Sequence, residues 1–203
     1  MRTAIVVLLV LCAVAGAERV RGDQPHYYVL LEPGNYRCYC GWYGVMYCET
    51  VTGYDGGDSI VFCEWYYPSP ATFEERWRID AEGDVWRVSP TKYSDGSPEL
   101  WLDVPLTTGK SWTNQFDEYG MEYLSFTVEG PEMVDTMFGY VLGVAIHMDW
   151  ATGGALIMGR YIYVNGFGLV RYDWTVFDAH FQLCEAVIGT ESRTWGEVKA
   201  LFR

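Results

Sequence analysis

Two short motifs recur along this chain at nearly the same spacing. A Leu-x-x-Gly motif is followed by a Thr-Val-x-Gly motif, and the pair occurs twice. The first copy is Leu31-Glu-Pro-Gly34 with Thr50-Val-Thr-Gly53, and the second is Leu106-Thr-Thr-Gly109 with Thr127-Val-Glu-Gly130. The first glycines lie 75 residues apart and the second glycines 77. This spacing predicts two copies of one strand meander rather than an array of short repeats.

Strand signals dominate from Tyr27 onward, as short β-branched and aromatic runs separated by turn residues such as Asn165-Gly166. The clearest run covers residues 140–150, where alternation predicts one core-facing set: Tyr140, Leu142, Val144, Ile146, Met148 and Trp150. We therefore expect an all-β fold, an antiparallel barrel or half-barrel built from a duplicated meander. The β-domain is expected over residues 27–188, with copies at 27–104 and 105–188.

The two ends of the chain differ from this β-rich region. Residues 1–17 combine Arg2, a short apolar run and a small-residue cleavage site, which is typical of a signal peptide. Residues 18–26 are then an N-terminal extension. Within the tail, residues 189–203, Thr194-Trp-Gly-Glu197 forms a capping box that predicts a short C-terminal helix.

The charge balance excludes some partners. Removing residues 1–17 takes away Arg2 and no acidic residue, which leaves 13 basic and 27 acidic side chains and a net charge of −14. Such a surface repels nucleic acid, so none is expected as a partner. With a signal peptide and no apolar run long enough for a membrane helix, we expect an exported protein that is periplasmic, on the outer surface or extracellular.

Cysteine usage fits an oxidising compartment. Cys38, Cys40, Cys48 and Cys63 cluster within 26 residues, so disulfides are expected and a zinc site is the less favoured alternative. Cys38 and Cys40 share one strand face, so each is expected to bond to a neighbouring strand rather than to the other. Cys48 and Cys63 are the nearest candidates for a pair, and Cys184 is expected to be a buried free thiol.

Four longer motifs carry a resemblance to known proteins. They are Leu31-x-x-Gly34-Asn35, Trp101-Leu-Asp-Val-Pro-Leu-Thr-Thr-Gly-Lys-Ser-Trp112, Val134-Asp-Thr-x-x-Gly139-x-x-x-Gly-Val144 and Tyr163-x-x-Gly-x-Gly-Leu-Val170. In this order, over roughly residues 28–177, they resemble a broad group of uncharacterised secreted bacterial proteins. The resemblance implies a barrel or half-barrel similar to the lipoprotein-localisation superfamily, and it implies no activity. The chain departs from the group in its cysteine cluster and in Arg37, where the repeat would place a tryptophan.

Few residues suggest catalysis or metal binding. His147 and Asp149 share a strand face and could form a metal or general-base pair, but a polar sheet face is the favoured interpretation. The acidic segments 55–58 and 80–84 could bind calcium, but both are favoured as hairpin turns. No metal or cofactor is therefore expected. A glycan hydrolase could use Glu64, Glu74 and Glu75 near aromatic stretches, and it ranks third among the functions considered.

Aromatic density is the remaining signal. Rings concentrate in the first copy, where they could stack on a sugar or line a pocket for an apolar molecule, although a filled core would use them too. The candidate ligand-binding residues are Trp65, Tyr67, Trp77, Trp86 and Trp101. The leading hypothesis is a non-catalytic exported binding or carrier protein for an apolar or glycan ligand. The alternative is a structural or interaction protein of the cell envelope, displayed through its C-terminal tail.

Overall fold

The structure is a computed structural model that describes residues 31–41, 44–66, 70–88, 97–117, 119–136, 139–165, 167–175 and 179–187. The predictions for the signal peptide, the N-terminal extension, the C-terminal helix and Tyr67 lie outside these residues. The strands are β1 Tyr36–Gly41, β2 Gly44–Asp55, β3 Asp58–Trp65, β4 Ala71–Ile79, β5 Val85–Arg87, β6 Glu99–Leu102, β7 Ser111–Gln115, β8 Tyr123–Thr136, β9 Gly139–Thr152, β10 Ala155–Val164, β11 Gly168–Trp174 and β12 Ala179–Val187.

The strands form one antiparallel sheet that curves into a nearly closed barrel. The sheet order is β6-β5-β4-β3-β2-β1-β12-β11-β10-β9-β8-β7, so strands that are consecutive in sequence are neighbours throughout, except at one junction. The first strand pairs with the last, from Tyr36 opposite Val187 to Cys40 opposite Gln182. The predicted all-β antiparallel class is confirmed.

Side chains bridge the gap between β6 and β7, the two edge strands of the sheet. Asn114 on β7 accepts a hydrogen bond from the backbone N–H of Leu100 on β6, at 2.8 Å, and its side-chain amide donates to the Leu100 carbonyl at 3.0 Å. The indole of Trp112 also donates to that carbonyl, at 3.0 Å. These three bonds hold the edges together where the described strands have no backbone ladder.

The two Leu-x-x-Gly motifs adopt the same local structure. Gly34 and Gly109 both have positive φ, at 89° and 84°, a conformation that glycine adopts at little cost. Gly34 donates its backbone N–H to Val51 and Gly109 donates its own to Val128, each at 2.8 Å. A bulge follows Val51 and another follows Val128. The equivalence accords with the predicted repeat, while duplication of the whole meander stays a prediction.

The far end of the β8–β9 hairpin leaves the barrel wall and folds over its outside. The bulge after Val128 shifts the pairing, so that Gly130 lies opposite Ala145 rather than Val144. Arg160, which points outward from β10, forms ion pairs with Glu129 at 2.7 Å and with Glu132. The hairpin therefore crosses the outer face of the strands that follow it.

A second apolar layer lies under this hairpin. Ile162 alternates with the inward-facing Tyr161 and Tyr163, yet its side chain is 0 % exposed. Gly143 lies close above it, since a Cβ built on Gly143 would come within 2.7 Å of the Ile162 Cγ2 and 2.9 Å of the Tyr163 carbonyl. The absence of a side chain at residue 143 lets the hairpin approach the barrel closely.

The hairpin also corrects the core face predicted for residues 140–150. Met148 and Trp150 face the barrel interior and Ile146 is buried, as expected. Tyr140 and Leu142 are instead exposed, by 72 % and 54 %, because this part of β9 has left the wall and turned its former inner face to solvent. The predicted alternation along β9 agrees with the structure. The bend that turns the core-facing side of this strand to solvent was not predictable from alternation alone.

Two disulfides join β1 to both of its neighbours. Cys38 bonds to Cys48 on β2, and Cys40 bonds to Cys184 on β12, so Cys38 and Cys40 each use a neighbouring strand as expected. The expected Cys48–Cys63 pair and the free Cys184 are wrong. Glu49, rather than Cys48, lies opposite Cys63 in the β2–β3 ladder, so the two cysteines occupy opposite faces of the sheet. Among the described cysteines, Cys63 is the one that forms no disulfide, and its thiol is buried.

Candidate ligand-binding cavity

The barrel encloses a cavity of about 250 Å³ that side chains from both halves of the sheet line. Its walls are mostly aromatic and aliphatic, with a small number of charged groups among them. The lining comprises Leu31, Arg37, Tyr47, Glu49, Val61, Trp65, Phe73, Glu75, Trp77, Arg87, Glu99, Trp101, Phe116, Leu124, Met148, Trp150, Tyr161, Tyr163, Leu169, Tyr172 and Trp174. An apolar interior with a few placed polar groups is typical of a small-molecule site.

Four aromatic residues of the cavity lie at one rim of the barrel, and we call them the aromatic mouth: Trp65, Phe116, Trp150 and Trp174. These residues lie at or near the C-terminal ends of β3, β7, β9 and β11. Odd-numbered strands of an up-and-down meander run in the same direction, so their C-terminal ends meet at one rim of the barrel. The aromatic side chains of distant segments are thereby brought together around the cavity.

Deeper in the cavity lies the first of two ion-pair groups. The Arg37 guanidinium on β1 lies 2.8 Å from a carboxylate oxygen of Glu49 on β2; the Arg37 side chain is buried and the Glu49 side chain is partly buried. The Tyr47 hydroxyl donates a hydrogen bond to the same carboxylate at 2.9 Å and lies 3.2 Å from the Cys63 sulfur. Burial, and then the Glu49 and Glu75 charges, raise the pKa of the Cys63 thiol, so this cysteine stays protonated and poorly nucleophilic.

The second group centres on Arg87. Its guanidinium is paired with Glu99, a carboxylate that is 1 % exposed, and lies 3.6 Å from Glu75. It also lies 4.5 Å from the centre of the Trp101 ring, a cation–π contact. Trp77 donates its indole N–H to Glu75 at 2.9 Å. The Arg87 side chain therefore joins carboxylates on two different strands and an aromatic ring in the cavity wall.

Glu75 differs from its paired neighbours. Burial raises the pKa of its carboxyl group and the nearby Arg87 lowers it, while the Glu49 charge raises it again, with a net upward direction. The contact with Arg87 is longer than an ordinary hydrogen bond. Glu75 is thus the carboxylate of the cavity whose negative charge is least compensated by the groups around it.

Tyr172 places an unused polar group in the wall. Its side chain is only 4 % exposed, and its hydroxyl has no hydrogen-bond partner among the described residues. The ring stacks on Phe181, at 4.3 Å between centroids, and on Tyr161, at 6.0 Å. Buried hydroxyl groups are nearly always hydrogen-bonded, so this one stands out.

The structure separates the aromatic candidates. Trp65, Trp77 and Trp101 line the cavity, whereas Tyr67 lies outside the described residues. Trp86 alternates with the inward-facing Arg87, and its indole donates to Asp80 at 2.8 Å, on the outer side of the barrel. Trp86 is therefore not a cavity residue. Alternation along the three-residue strand β5 places it on the outer face, which the residue type alone does not predict.

The other candidate residues lie on the outer face or in turns. Glu64 and Glu74 alternate with Cys63 and Glu75, so only Glu75 of the three glutamates considered reaches the cavity. His147 and Asp149 share the outer face, 3.1 Å apart and partly exposed.

Both acidic turns use their carboxylates within the protein. Asp80 accepts bonds from the backbone N–H groups of Glu82 and Asp84, at 3.1 and 2.9 Å, and Asp58 is paired with Arg78 at 2.7 Å. In the described part of the chain, no three His, Cys, Asp or Glu side chains come close enough to share a metal ion.

Sequence reasoning missed the charged and phenolic part of the cavity. The missed residues are Arg37, Glu49, Arg87, Glu99, Trp150, Tyr161, Tyr163, Tyr172 and Trp174. One signal was present: Arg37 stands where the repeat predicts a tryptophan, so a charge replaces an expected ring at an inward position. Pairing Arg37 with a carboxylate on β2 requires the strand register, which one sequence does not supply.

Two solved structures are similar in shape to this chain. No family model and no curated protein matches the chain. A protein of Bacteroides fragilis NCTC 9343, described as a candidate exported protein with a YmcC-like fold, aligns with a TM-score of 0.46 and 13 % identity, over 79 % of this chain and 99 % of its own. A candidate lipoprotein of Parabacteroides distasonis ATCC 8503 aligns with a TM-score of 0.38 and 11 % identity, over 81 % and 100 %.

In the part of the chain that the structure describes, no helix has the length and apolar character needed to cross a bilayer.

Proposed function

We propose that this protein is an exported, non-catalytic binding protein that holds one small apolar molecule inside its barrel. The observation that carries the proposal is the cavity itself, with its mostly aromatic and aliphatic walls. The volume of about 250 Å³ is below the roughly 300–1,000 Å³ of drug-sized pockets, which favours a compact ligand over an oligosaccharide.

The disulfides support export. Cys38–Cys48 and Cys40–Cys184 are bonds of a kind that forms and persists in oxidising compartments. The Cys40–Cys184 bond also fixes the junction of the first and last strands, which keeps the cavity wall continuous there. A binding protein outside the cytoplasm gains rigidity from such a bond.

Calorimetric titration with octan-1-ol, together with native mass spectrometry of the purified protein, tests the proposal. We expect saturable binding of one molecule, and we expect Trp65→Leu to weaken it because this ring lies at the mouth. Trp86→Leu is the matched control, since Trp86 is a partly buried tryptophan on the outer face. Loss of binding in both variants, or no binding by the unsubstituted protein, would contradict the proposal and favour an interaction protein.

A further inference from the structure

The charged side chains that line the cavity do not balance. Among the described lining residues there are three carboxylates, Glu49, Glu75 and Glu99, against two guanidiniums, Arg37 and Arg87. Arg37 is paired with Glu49, and Arg87 makes its closest contacts with Glu99. Glu75 is left as a third carboxylate that shares Arg87 at 3.6 Å.

An unbalanced charge in a largely apolar cavity is costly. A carboxylate taken out of water is destabilising unless it is paired and hydrogen-bonded, and otherwise it takes up a proton. Glu75 receives one hydrogen bond from Trp77 and a distant ion-pair contact from Arg87. A ligand that brings one positive charge would complete the pairing of this side chain.

The walls around Glu75 are suited to a cation as well as to an apolar body. Trp77 and Trp101 lie 5.5 Å apart, edge to face, and Trp101 already holds the Arg87 cation against its ring. Aromatic faces attract ammonium groups, most strongly where water is excluded. The same rings that would contact a hydrocarbon can therefore contact an alkylammonium group.

Tyr172 adds an unsatisfied polar group to the wall of the same cavity. Its hydroxyl is buried and has no hydrogen-bond partner among the described residues, and its ring stacks on Tyr161. Tyr161 is in turn close enough to Glu75 for that carboxylate to affect its phenol electrostatically. The rings of Tyr161 and Tyr172 therefore form one stacked part of the wall of the cavity that Glu75 also lines.

We infer that the ligand is an amine, with an apolar body toward the aromatic mouth and its ammonium group at the Glu75 carboxylate. The inference rests on the proposed function, which it makes more specific by naming the charge of the ligand. It excludes fatty acids and other anions as preferred ligands, because they would add a fourth negative charge to the cavity.

A series of three probes tests this inference on the unsubstituted protein. Octylamine, octan-1-ol and octanoate share one chain length and differ in head-group charge, and each is titrated calorimetrically at pH 7. We expect octylamine to bind about tenfold or more tightly than octan-1-ol, and octanoate to bind most weakly. Glu75→Gln should reduce octylamine binding to the level of octan-1-ol while octan-1-ol binding persists.

The control and the outcomes separate the two proposals. Glu74→Gln removes the preceding carboxylate, which is exposed on the outer face of β4, and should leave the preference for the amine unchanged. Equal binding of the three probes, or tightest binding of octanoate, would overturn the inference and leave the proposed function standing. Binding of none would overturn the proposed function itself. If Glu75→Gln does not fold, the probe series on the unsubstituted protein still decides the charge preference.

Discussion

Cys40 and Cys184 join the first strand of the barrel to the last across a sequence separation of 144 residues, whereas Cys38 and Cys48 are separated by 10. A cross-link restricts the unfolded chain more when it closes a longer loop. The chain-entropy model gives about 5 kcal/mol for the long loop and about 3 kcal/mol for the short one. The two bonds should thus differ in their contribution to stability.

We therefore predict that C40A/C184A lowers the free energy of unfolding more than C38A/C48A does. Urea denaturation of both double variants, beside the unsubstituted protein, measures the difference. Equal losses, or a larger loss on removing the Cys38–Cys48 bond, would contradict the prediction. Denaturation of the reduced unsubstituted protein provides the control, because it removes both bonds without a substitution.

Gly143→Ala should destabilise the protein by about 1–3 kcal/mol, because the new methyl group would overlap Ile162 and the Tyr163 backbone beneath the β8–β9 hairpin. Gly53→Ala is the matched control, since a Cβ at this strand glycine meets nothing within 4 Å. Thermal denaturation of the two variants measures the effect. Similar melting temperatures for both would show that the hairpin does not pack as described.

Asn114→Ala should loosen the junction between β6 and β7, because it removes two of the side-chain hydrogen bonds to Leu100. We expect a loss of about 1–2 kcal/mol and faster hydrogen exchange at the Leu100 amide. Thr113→Ala, at an exposed position on the same strand, should change neither. Unchanged exchange at Leu100 in the Asn114 variant would mean that the edges are held in another way.

Glu75 makes stability depend on pH in a predictable direction. The raised pKa of Glu75 means that the folded protein holds this proton more tightly than the unfolded chain does. The resulting stability is fully present below the ordinary glutamate pKa of 4.5, and it is lost as the pH rises through the folded-state pKa. Glu75→Gln cannot lose a proton, so its stability relative to the unsubstituted protein should increase from pH 4.5 to pH 8. Denaturant titrations across this range, with Glu74→Gln as the control, test the sign. A relative decrease would contradict it.

Tyr172→Phe removes a buried hydroxyl that has no partner in the described protein. We expect the stability of the unliganded protein to stay the same or to rise by about 1 kcal/mol. Tyr163→Phe is the contrasting variant, because its hydroxyl accepts the Trp101 indole N–H at 2.8 Å and its loss should destabilise the protein. Calorimetry and thermal denaturation distinguish the two.

The fold class was predictable because its signals are local. Alternating apolar residues and glycine-containing turns indicate antiparallel strands within a few residues of each other. The outward path of the β8–β9 hairpin depends on one bulge after Val128 and on the close approach at Gly143, and neither changes the sequence pattern visibly. The exposure of Tyr140 and Leu142 was consequently missed.

The cavity was predictable only in part, for a related reason. Aromatic density indicated Trp65, Trp77 and Trp101, but inward and outward positions on a three-residue strand such as β5 cannot be told apart without the register, so Trp86 was included as well. Glu49, and not Cys48, lies opposite Cys63, which rules out a Cys48–Cys63 bond. This register likewise depends on how β2 and β3 pair, which one sequence does not show. Residues far apart in sequence, such as Arg37 and Tyr163, meet only when the barrel closes.

The pairing of β1 with β12 also determines how the molecule would respond to mechanical tension. Tyr36 at the start of β1 and Val187 at the end of β12 lie opposite each other, and the Cys40–Cys184 bond lies only a few residues inside each point. A pull applied between the two ends would be transmitted through that covalent bond and not through the 144-residue span between the cysteines. A load applied at Tyr36 and Val187 would therefore leave the strands between the two cysteines unextended.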